Sequence, residues 1–598
     1  MEKRTLVIIV LIIVVIILLL FLLLWGLGLL GGGSTSQNQG RDNKLLLARD
    51  YFEKGEYNRA LDLLDQILLE NLKDEEALAL KDKVLEAKKK AEAESQNKTP
   101  SREVIVIEKI DAADRYRPTP SLIVPENASN QEKEKLKKIN DLLTKGDNYR
   151  DSGQYDKAQA TYKEILDLDS SNAHANARIG ATYFEQDPTN KDNLDKAKEY
   201  SLKAIEQDPT LALPHKTLAQ IYEQNKQFTN AENEWKEATR LDPQDYEALY
   251  RLGNIQYRLS KYAEAVRSYT SCIHLKKDYY KAYNNRGMAY DKLGQNDAAI
   301  DSFNSAIKIK PDHALSYYGL GVAWRKKGDL NQAALALKNA TTYDSANAIY
   351  FRELGDVLIL SQRYPDAENA YQTALRLEPN NADVMYNLAN LKILMNKPAE
   401  ALSYAEGAYQ KNPTARQNAY LLGVVYDKLA QRDNAITYYK KAIELDKNYV
   451  LPLINLGKLY DDAGLFDEAL PYLAKAVSLD PNSYDANNNL GTVYLHKKAY
   501  TDAIRYLGKA VALSPADTKA RYNLGLAYLE TGQDEEAARI FAEVTKINAN
   551  YWDAYYQLGK LLIKKGDKVN GKMILSDLLT KNPSYEKRTE IETILAGL

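Results

Sequence analysis

The sequence is poor in the residues that form covalent cross-links and metal sites. Its 598 residues include one cysteine, Cys272, so an intrachain disulfide is excluded. The five histidines are scattered without the spacing of metal ligands, so no metal site is predicted. Neither sign of charge is in excess, since 80 basic and 82 acidic residues give a net charge of -2. This balance argues against nucleic acid as a partner.

The sequence also lacks the short motifs that carry catalysis. It has no GxxxxGK[ST] phosphate loop, no GxSxG nucleophile elbow and no HExxH zinc motif. The sequence supplies no neighbouring base for Cys272, which is therefore predicted to be a small buried residue and not a nucleophile. We expect no enzyme activity and no cofactor.

One long apolar run stands at the N-terminus. Residues 6–30 carry no charge and are almost all Leu, Ile and Val. At about 1.5 Å per residue this run spans a bilayer core of about 30 Å, and no signal-peptide cleavage site follows it. We therefore predict a short tail at 1–4, a transmembrane anchor at 5–30 and a flexible Gly/Ser spacer at 31–40. Lys3 and Arg4 favour a cytoplasmic N-terminus, which predicts a single-pass membrane protein whose array is extracytoplasmic (periplasmic).

The next 54 residues are predicted to be helical and to precede a linker. Residues 41–94 have apolar residues at helical spacing on both sides of a turn at Gly55, and they predict an isolated hairpin unit with a charged third helix. Residues 95–130 contain the alternating stretch REVIVIEKI and then three prolines. Proline cannot continue a sheet, so this segment is predicted to be a mostly disordered linker.

From about residue 139 the sequence repeats itself. A glycine or alanine recurs every 34 residues, except for one step of 39 in which five extra residues are predicted to enlarge a turn within 184–197. Alanine follows twelve residues after each of these small residues, except that Ala197 follows Gly180 by seventeen because of the insertion and that the last repeat has Gly571. We number thirteen repeats, each with this small residue at position 8. They begin at residues 139, 173, 212, 246, 280, 314, 348, 382, 416, 450, 484, 518 and 552.

A period of this length indicates stacked helical hairpins, because one hairpin cannot bury its apolar face alone. Repeat 5 (residues 280–313) has Gly287 at position 8, Tyr290 at 11, Ala299 at 20 and Pro311 at 32. This pattern resembles the tetratricopeptide repeat (TPR) family. The resemblance implies an all-α, right-handed superhelical solenoid, here with an N-terminal transmembrane helix. The TPR array is placed at 131–585 and a C-terminal capping helix at 586–598; residues 41–94 look like one further, isolated TPR-like unit.

The surface that the repeat leaves for binding is a stripe on each first helix. With position 8 buried, a helical wheel places positions 2, 5, 6, 9, 12 and 13 together, and in the TPR family this stripe lines a concave groove. An asparagine amide donates and accepts at once, so a ladder of asparagines at position 6 suits a peptide backbone. The candidate peptide-binding residues at positions 5 and 6 of the stripe are Tyr386, Asn387, Asn455, Asn488, Asn489, Tyr522 and Asn523.

A second candidate set on the stripe is basic. Some TPR domains hold a partner's terminal carboxylate with lysine, asparagine and arginine from three consecutive repeats, and repeats 3 to 5 resemble that arrangement with Arg251 and Asn285 exchanged. Converging cations there predict binding of a carboxylate or an acidic peptide. The members of this set are Lys216, Gln220, Arg251, Asn254, Lys281 and Asn285.

The function predicted from the sequence is a membrane-tethered scaffold that binds partner proteins or extended peptides in the groove. We expect it to assemble an envelope-associated complex of the secretion, pilus or flagellar-motor type. Two alternatives stay open: a regulatory or targeting subunit of a membrane-associated enzyme, and a protein resembling mitochondrial import receptors. The expected partners are other proteins and, through residues 5–30, the membrane; self-association also stays open.

Overall fold

The computed structural model describes residues 128–598 without a gap, residues 74–95, and some of the positions between 41 and 67. It contains 28 helices across residues 74–95 and 128–598, and none of the described residues is in a strand. The predicted all-α class is confirmed, whereas the right-handed superhelix stays a prediction. The described residues form two compact bodies. The first body is 128–362, and the second is 363–598 together with the described part of 41–95.

The first body consists of helix pairs in sequence order. Its first helices are Asn130–Asp151, Ala173–Gln186, Ala212–Gln224, Tyr246–Arg258, Tyr280–Lys292, Ala314–Lys327 and Ala348–Leu360. Its second helices are Tyr155–Leu168, Lys191–Gln207, Phe228–Leu241, Tyr262–Leu275, Asn296–Ile309 and Leu330–Tyr343. Each second helix packs against the first helix of its own repeat and against that of the next.

The second body continues the same pattern. Its first helices are Ala382–Leu394, Arg416–Lys428, Val450–Asp462, Tyr484–His496, Thr518–Glu530 and Trp552–Lys564. Its second helices are Tyr364–Leu377, Pro398–Lys411, Arg432–Leu445, Phe466–Leu479, Tyr500–Leu513, Asp534–Ile547 and Lys568–Lys581. Glu75–Ser95 precedes them in the chain, the described positions between 41 and 67 are also helical, and Arg588–Ala596 is the last helix.

The helix boundaries follow the repeat register. The first helices of repeats 2 to 13 all begin at position 1, and the second helices begin at position 17 in every repeat but the second. In repeat 2 the inserted residues do not all enlarge the turn as predicted. Its second helix, Lys191–Gln207, has 17 residues where the others have 14, so part of the insertion adds a helical turn. The side chain of Asn190 caps that longer helix by accepting from the Asn193 N–H.

The two helices of a repeat meet at the small residues. An added Cβ at Gly287 would lie 2.8 Å from the Phe303 ring, and one at Gly525 would lie 2.6 Å from the Phe541 ring. Glycine at position 8 of these repeats therefore leaves room for the aromatic ring at position 24, and an alanine there would force that ring to shift. The alanines at position 20 are fully buried: Ala158, Ala197, Ala231, Ala265, Ala299, Ala333, Ala367, Ala401, Ala435, Ala469, Ala503 and Ala537.

The last hairpin is closer-packed than its glycine at position 20 suggests. A Cβ at Gly571 would lie 2.5 Å from Ile563 and 2.9 Å from the Gly559 carbonyl oxygen, so the two backbones approach more closely than alanine allows. The helix Arg588–Ala596 then places Ile591 in a buried cluster with Leu575 and Leu578. The predicted capping segment thus covers apolar residues of repeat 13.

The predicted localisation, a single-pass membrane protein with a periplasmic array, is wrong for the part of the chain that the structure describes. Across 128–598 and the described positions of 41–95, no helix has both the length and the apolar character needed to cross a bilayer. The predicted anchor at 5–30, the spacer at 31–40 and residues 96–127 of the linker lie outside the described residues.

Candidate functional site

The candidate site is the first-helix stripe of repeats 10 to 12 in the second body. Their first helices, Val450–Asp462, Tyr484–His496 and Thr518–Glu530, contact one another in order. Position 6 of each carries an asparagine, namely Asn455, Asn489 and Asn523, and all three are half-buried. The predicted ladder therefore occupies neighbouring helices of a single body.

Asparagine at position 6 reaches back to positions 5 and 9 of the preceding repeat. Asn455 Nδ2 donates to Tyr420 Oη at 3.2 Å, a residue 35 positions earlier. Asn523 Nδ2 donates to Thr492 Oγ1 at 3.3 Å, a residue 31 positions earlier. These bonds use the amide nitrogen and fix the orientation of the side chain. No residue that the structure describes donates to the Oδ1 atom of Asn455 or Asn523, so each acceptor remains available.

Asn489 differs from its two neighbours. Its Oδ1 accepts from Asn488 Nδ2 at 3.3 Å, within the same helix. The residues 35 and 31 positions earlier are Ile454 and Lys458, and neither side chain offers an acceptor. Within the described part of the chain, Nδ2 of Asn489 donates no hydrogen bond. Its two N–H groups can thus serve a carbonyl from outside.

Three asparagines are consecutive at positions 487 to 489, and the first of them, Asn487, is a structural residue. It is 2% exposed, and its Nδ2 donates to the carbonyl oxygens of Ser483 at 2.7 Å and Pro481 at 3.0 Å. These bonds satisfy carbonyls in the turn that leads into helix Tyr484–His496. Asn487 is at position 4 of repeat 11, which a helical wheel places near the packing side, but Ser-x-x-x-Asn has no fixed structural meaning and the sequence pattern does not reveal this role.

The remaining predicted residues of this set lie deeper. Tyr386 and Asn387 are buried, at 2% and 8% exposure. Tyr522 is half-buried between Tyr551, whose ring centroid is 5.0 Å away, and Phe541 at 5.6 Å. Burial raises the pKa of Tyr522 to about 12, so its hydroxyl stays protonated. Tyrosine at position 5 therefore acts mainly in packing between repeats.

The predicted basic set lies in the first body, where carboxylates of the same chain form ion pairs with two of its cations. Lys216 Nζ is 2.5 Å from Asp245 Oδ2, and Asp245 also caps the next helix by accepting from the Ala248 N–H at 2.9 Å. Burial raises the pKa of the Asp245 carboxyl despite the lysine beside it. Asp245 directly precedes the first helical residue, and aspartate is a preferred N-cap residue, so its capping role is one that the sequence could have indicated.

Arg251, the central cation, is held in the same way. Its Nε donates to Glu247 Oε1 at 3.2 Å, and its guanidinium lies 5.7 Å from the ring centre of Trp235. The Trp235 indole N–H donates to Glu223 at 2.5 Å, and burial raises the pKa of Glu223. Lys216 and Arg251 thus both have carboxylates of this chain within bonding distance. An incoming carboxylate would have to displace those carboxylates.

The asparagines of the basic set belong to a buried network. Asn285 Nδ2 donates to Tyr250 Oη at 3.1 Å and to Asn254 Oδ1 at 2.9 Å, and Tyr269 Oη donates to the same Asn254 oxygen at 2.8 Å. Asn254 and Asn285 are both buried. Satisfied buried networks of this kind fix the register of neighbouring elements.

Two members of the basic set remain to be placed. Lys281 is 3% exposed with its ammonium 5.9 Å from the ring centre of Tyr280, and Gln220 is half-buried. The structure therefore brings the six basic-set residues onto one stripe but leaves little of them on the surface. Their role in ligand binding stays a prediction.

The single cysteine is buried in the first body. Burial raises the pKa of the Cys272 thiol to about 12, which disfavours the nucleophilic thiolate at neutral pH. Across the described residues, no group of three or more His, Cys, Asp or Glu side chains has the arrangement of a metal site.

The geometry defines a class, the all-α helical-hairpin repeat proteins, with a polar stripe on the first helices. More narrowly, the chain belongs to the tetratricopeptide repeat family, whose members generally act as protein-interaction scaffolds and not as enzymes. Family models described as "Tetratricopeptide repeat" match residues 216–271, 454–518, 494–562 and 553–585, and one described as "TPR repeat" matches 146–187. A model described as "Cilia and flagella-associated protein 70 C-terminal domain" matches 245–448.

Similar solved structures are also TPR proteins or their complexes. The APC/C hetero-tetramer Cut9–Hcn1 is 15% identical and covers 76% of this chain and 95% of its own, with a TM-score of 0.34. Yeast Tom70 is 18% identical and covers 67% and 96%, with a TM-score of 0.32. YrrB, a TPR protein with an unusual peptide-binding site, is 23% identical and covers 31% and 96%, with a TM-score of 0.28. No curated protein matches this chain.

Proposed function

We propose that this chain is a protein–protein interaction scaffold that binds an extended segment of a partner along Asn455, Asn489 and Asn523. One observation supports this most directly. Each amide has one part tied to its own chain, while Asn455 Oδ1, Asn489 Nδ2 and Asn523 Oδ1 have no partner among the described residues. A half-fixed, half-buried amide is pre-oriented, so it loses little conformational freedom when it binds a ligand.

The spacing of these helices suits an extended chain. Packed helices lie about 8–10 Å apart, which is about three residues of an extended strand at roughly 3.3 Å each. In that arrangement the oxygens of Asn455 and Asn523 accept from partner N–H groups, and the nitrogen of Asn489 donates to a partner carbonyl. Recognition of this kind reads the peptide backbone and leaves side-chain preference to the neighbouring stripe positions.

The test uses the full chain and a phage-displayed library of unstructured peptides. A selected peptide is labelled, and its dissociation constant is measured by fluorescence anisotropy against wild type and the Asn455→Ala, Asn489→Ala and Asn523→Ala variants. Each lost hydrogen bond is worth about 0.5–1.5 kcal/mol, so each variant should weaken binding by about 2- to 12-fold. Asn369→Ala is the matched control, since Asn369 is exposed on a second helix of the same body.

Two results would contradict the proposal. One is an unchanged dissociation constant in all three stripe variants while their circular dichroism and melting temperature match wild type. The other is an equal loss in the Asn369→Ala control. More specifically, we propose that the complex is of the secretion, pilus or flagellar-motor type predicted from the sequence. Co-purification of one stoichiometric enzyme would instead favour the regulatory-subunit alternative.

The basic set of the first body is not part of this proposal. Lys216 and Arg251 lie beside Asp245 and Glu247, and Asn285 is bonded within a buried network. An acidic peptide gains charge-assisted bonds there only by displacing carboxylates that the fold has already placed. The structure therefore favours peptide binding at the asparagines of the second body over binding at the basic set.

A further inference from the structure

The N-terminal helical segment, meaning the described residues of 41–95, contacts repeat 11 and the turn that leads into it. Lys83 Nζ lies 2.6 Å from Asp480 Oδ2, and Arg49 lies 3.4 Å from Asp485 Oδ2. The second pair joins residues 436 positions apart in the sequence. Both cations come from the segment and both carboxylates from the array, so the two surfaces are complementary in charge.

The segment presents these cations from a formed structure. Arg41 makes two hydrogen bonds of 2.9 Å with Asp74 and one of 2.8 Å with Glu76, and Arg49 also pairs with Glu76. Apolar side chains of the same segment are buried. The fully buried ones include Ala48, Ala60, Leu63, Leu64, Ala77 and Val84. Arg49 is thus held between a carboxylate of its own segment and one of the array.

The array side of the contact belongs to the candidate site. Asp485, Asn488 and Asn489 stand at i, i+3 and i+4 of one helix, so they share a face. Asp480 closes the turn before this helix, and its Oδ1 accepts from the Asn482 N–H at 3.2 Å. Glu76 of the segment is also among the charges that act on Tyr484. A segment seated on Asp480 and Asp485 therefore lies within one helical turn of the ladder.

We infer that the N-terminal helical segment is a built-in competitor of the partner peptide, docked on repeat 11 beside Asn489. The inference rests on the proposed function, because competition requires a ligand on the ladder. With the segment docked, the face that binds the peptide is occupied, and the apparent affinity equals the intrinsic affinity multiplied by the fraction of molecules in the open state. Partly exposed ion pairs are screened by salt, so rising ionic strength shifts the balance towards the open state.

The contact itself is tested by electron paramagnetic resonance on the full chain. Spin labels are attached to the exposed positions 86 and 482 in a Glu86→Cys, Asn482→Cys variant, while buried Cys272 stays unlabelled. We expect one short, narrow distance distribution. Asp480→Lys should broaden and lengthen it, and combining Asp480→Lys with Lys83→Glu should restore it, because the pair is then re-formed with its charges exchanged.

Asp485→Lys is a second test of the contact and should also broaden the distribution, and Asp383→Lys is its matched control. Asp383 is exposed and stands at the same position 2 in repeat 8, so the same charge reversal there should leave the distribution unchanged. Circular dichroism confirms that each variant is folded. A distribution that is insensitive to both Asp480→Lys and Asp485→Lys would overturn the docking, and so would failure of the exchanged pair to restore it.

Competition is then measured with the library-selected peptide. Lys83→Glu alters the segment and leaves every stripe residue intact, so it should tighten peptide binding by about two- to ten-fold. Unchanged affinity in Lys83→Glu, together with weaker binding in Asn489→Ala, would refute the competition and keep the proposed function. Unchanged affinity in all three variants, Asn455→Ala, Asn489→Ala and Asn523→Ala, would refute the proposed function, whatever the distances between spin labels.

Discussion

The packing at position 8 can be tested in repeat 11, which has one glycine in each of its two helices. Gly491 lies against the other helix, whereas Gly508 has open space around it. An added Cβ at Gly491 would lie 2.7 Å from Leu507 Cγ and 2.8 Å from the Leu507 backbone nitrogen. Carbon atoms normally approach to about 3.5–4.0 Å, so the overlap is about 1 Å. A backbone atom cannot rotate away, so Gly491→Ala forces the two helices of the repeat apart.

The expected size follows from two opposing effects. Overpacking lowers the free energy of unfolding by about 1–3 kcal/mol. Replacing glycine by alanine inside a helix raises it by about 1 kcal/mol, because alanine has the higher helix propensity. The backbone clash puts Gly491→Ala near the upper end, which gives a net destabilisation of about 1–2 kcal/mol. Gly508 lies inside the partner helix Tyr500–Leu513 with no atom within 4 Å of its added Cβ. Gly508→Ala should therefore stabilise the repeat by about 1 kcal/mol.

Hydrogen–deuterium exchange is the suitable assay, because repeat proteins open locally and a single unfolding midpoint averages over many repeats. Peptides covering residues 484–513 should exchange faster in Gly491→Ala and more slowly in Gly508→Ala than in wild type. Peptides from repeats far from this one provide the internal reference. If both variants shift exchange in the same direction, the close approach of the helices at position 8 is refuted.

Three further predictions concern turns and titratable groups. Ala430 lies two residues after helix Arg416–Lys428 with φ of 56°, and Gly294 lies two residues after helix Tyr280–Lys292 with φ of 71°. Ala430→Gly should therefore stabilise and Gly294→Ala destabilise by about 1 kcal/mol each in chemical denaturation. Burial alone would raise the pKa of Glu232, but hydrogen bonds from Lys236 and Lys261 lower it. Its stabilisation is therefore present above the unfolded pKa and is lost as pH falls through the folded one, so Glu232→Gln should destabilise at pH 7 and much less at pH 3. Cys272, with its pKa near 12, should react with a thiol reagent at pH 8 only after denaturant is added.

The sequence predicts the repeat and its register because both depend on residues close to one another in the chain. Gly287 and Ala299 mark a helix–helix contact that is complete within one hairpin, and the helix boundaries follow the 34-residue period. The partners of the polar residues were harder to predict. The bond between Asn455 and Tyr420 joins neighbouring repeats, and the pair of Arg49 and Asp485 joins segments 436 residues apart. Such contacts depend on stacking and docking, which local periodicity does not encode.

Comparison of the position-6 asparagines explains why identical residues differ in availability. Asn285 follows a repeat with Tyr250 at position 5 and Asn254 at position 9, and both accept from it. Asn489 follows a repeat with Ile454 and Lys458 at those positions, and neither can accept. The preceding repeat, and not the asparagine itself, therefore decides whether the amide is structural or open to a ligand.

This dependence can be tested without altering the ladder. Lys458 is exposed, and Lys458→Thr places a hydroxyl 31 residues before Asn489, where Thr492 stands relative to Asn523. The new hydroxyl should accept from Asn489 Nδ2 and weaken peptide binding by about 2- to 12-fold, the value of one hydrogen bond. Lys458→Val removes the same charge with the same shape and no acceptor, so the ratio of the two dissociation constants isolates the hydroxyl. Equal constants in the two variants would show that the nitrogen of Asn489 does not bind the peptide, because its capture by the chain would then have no effect.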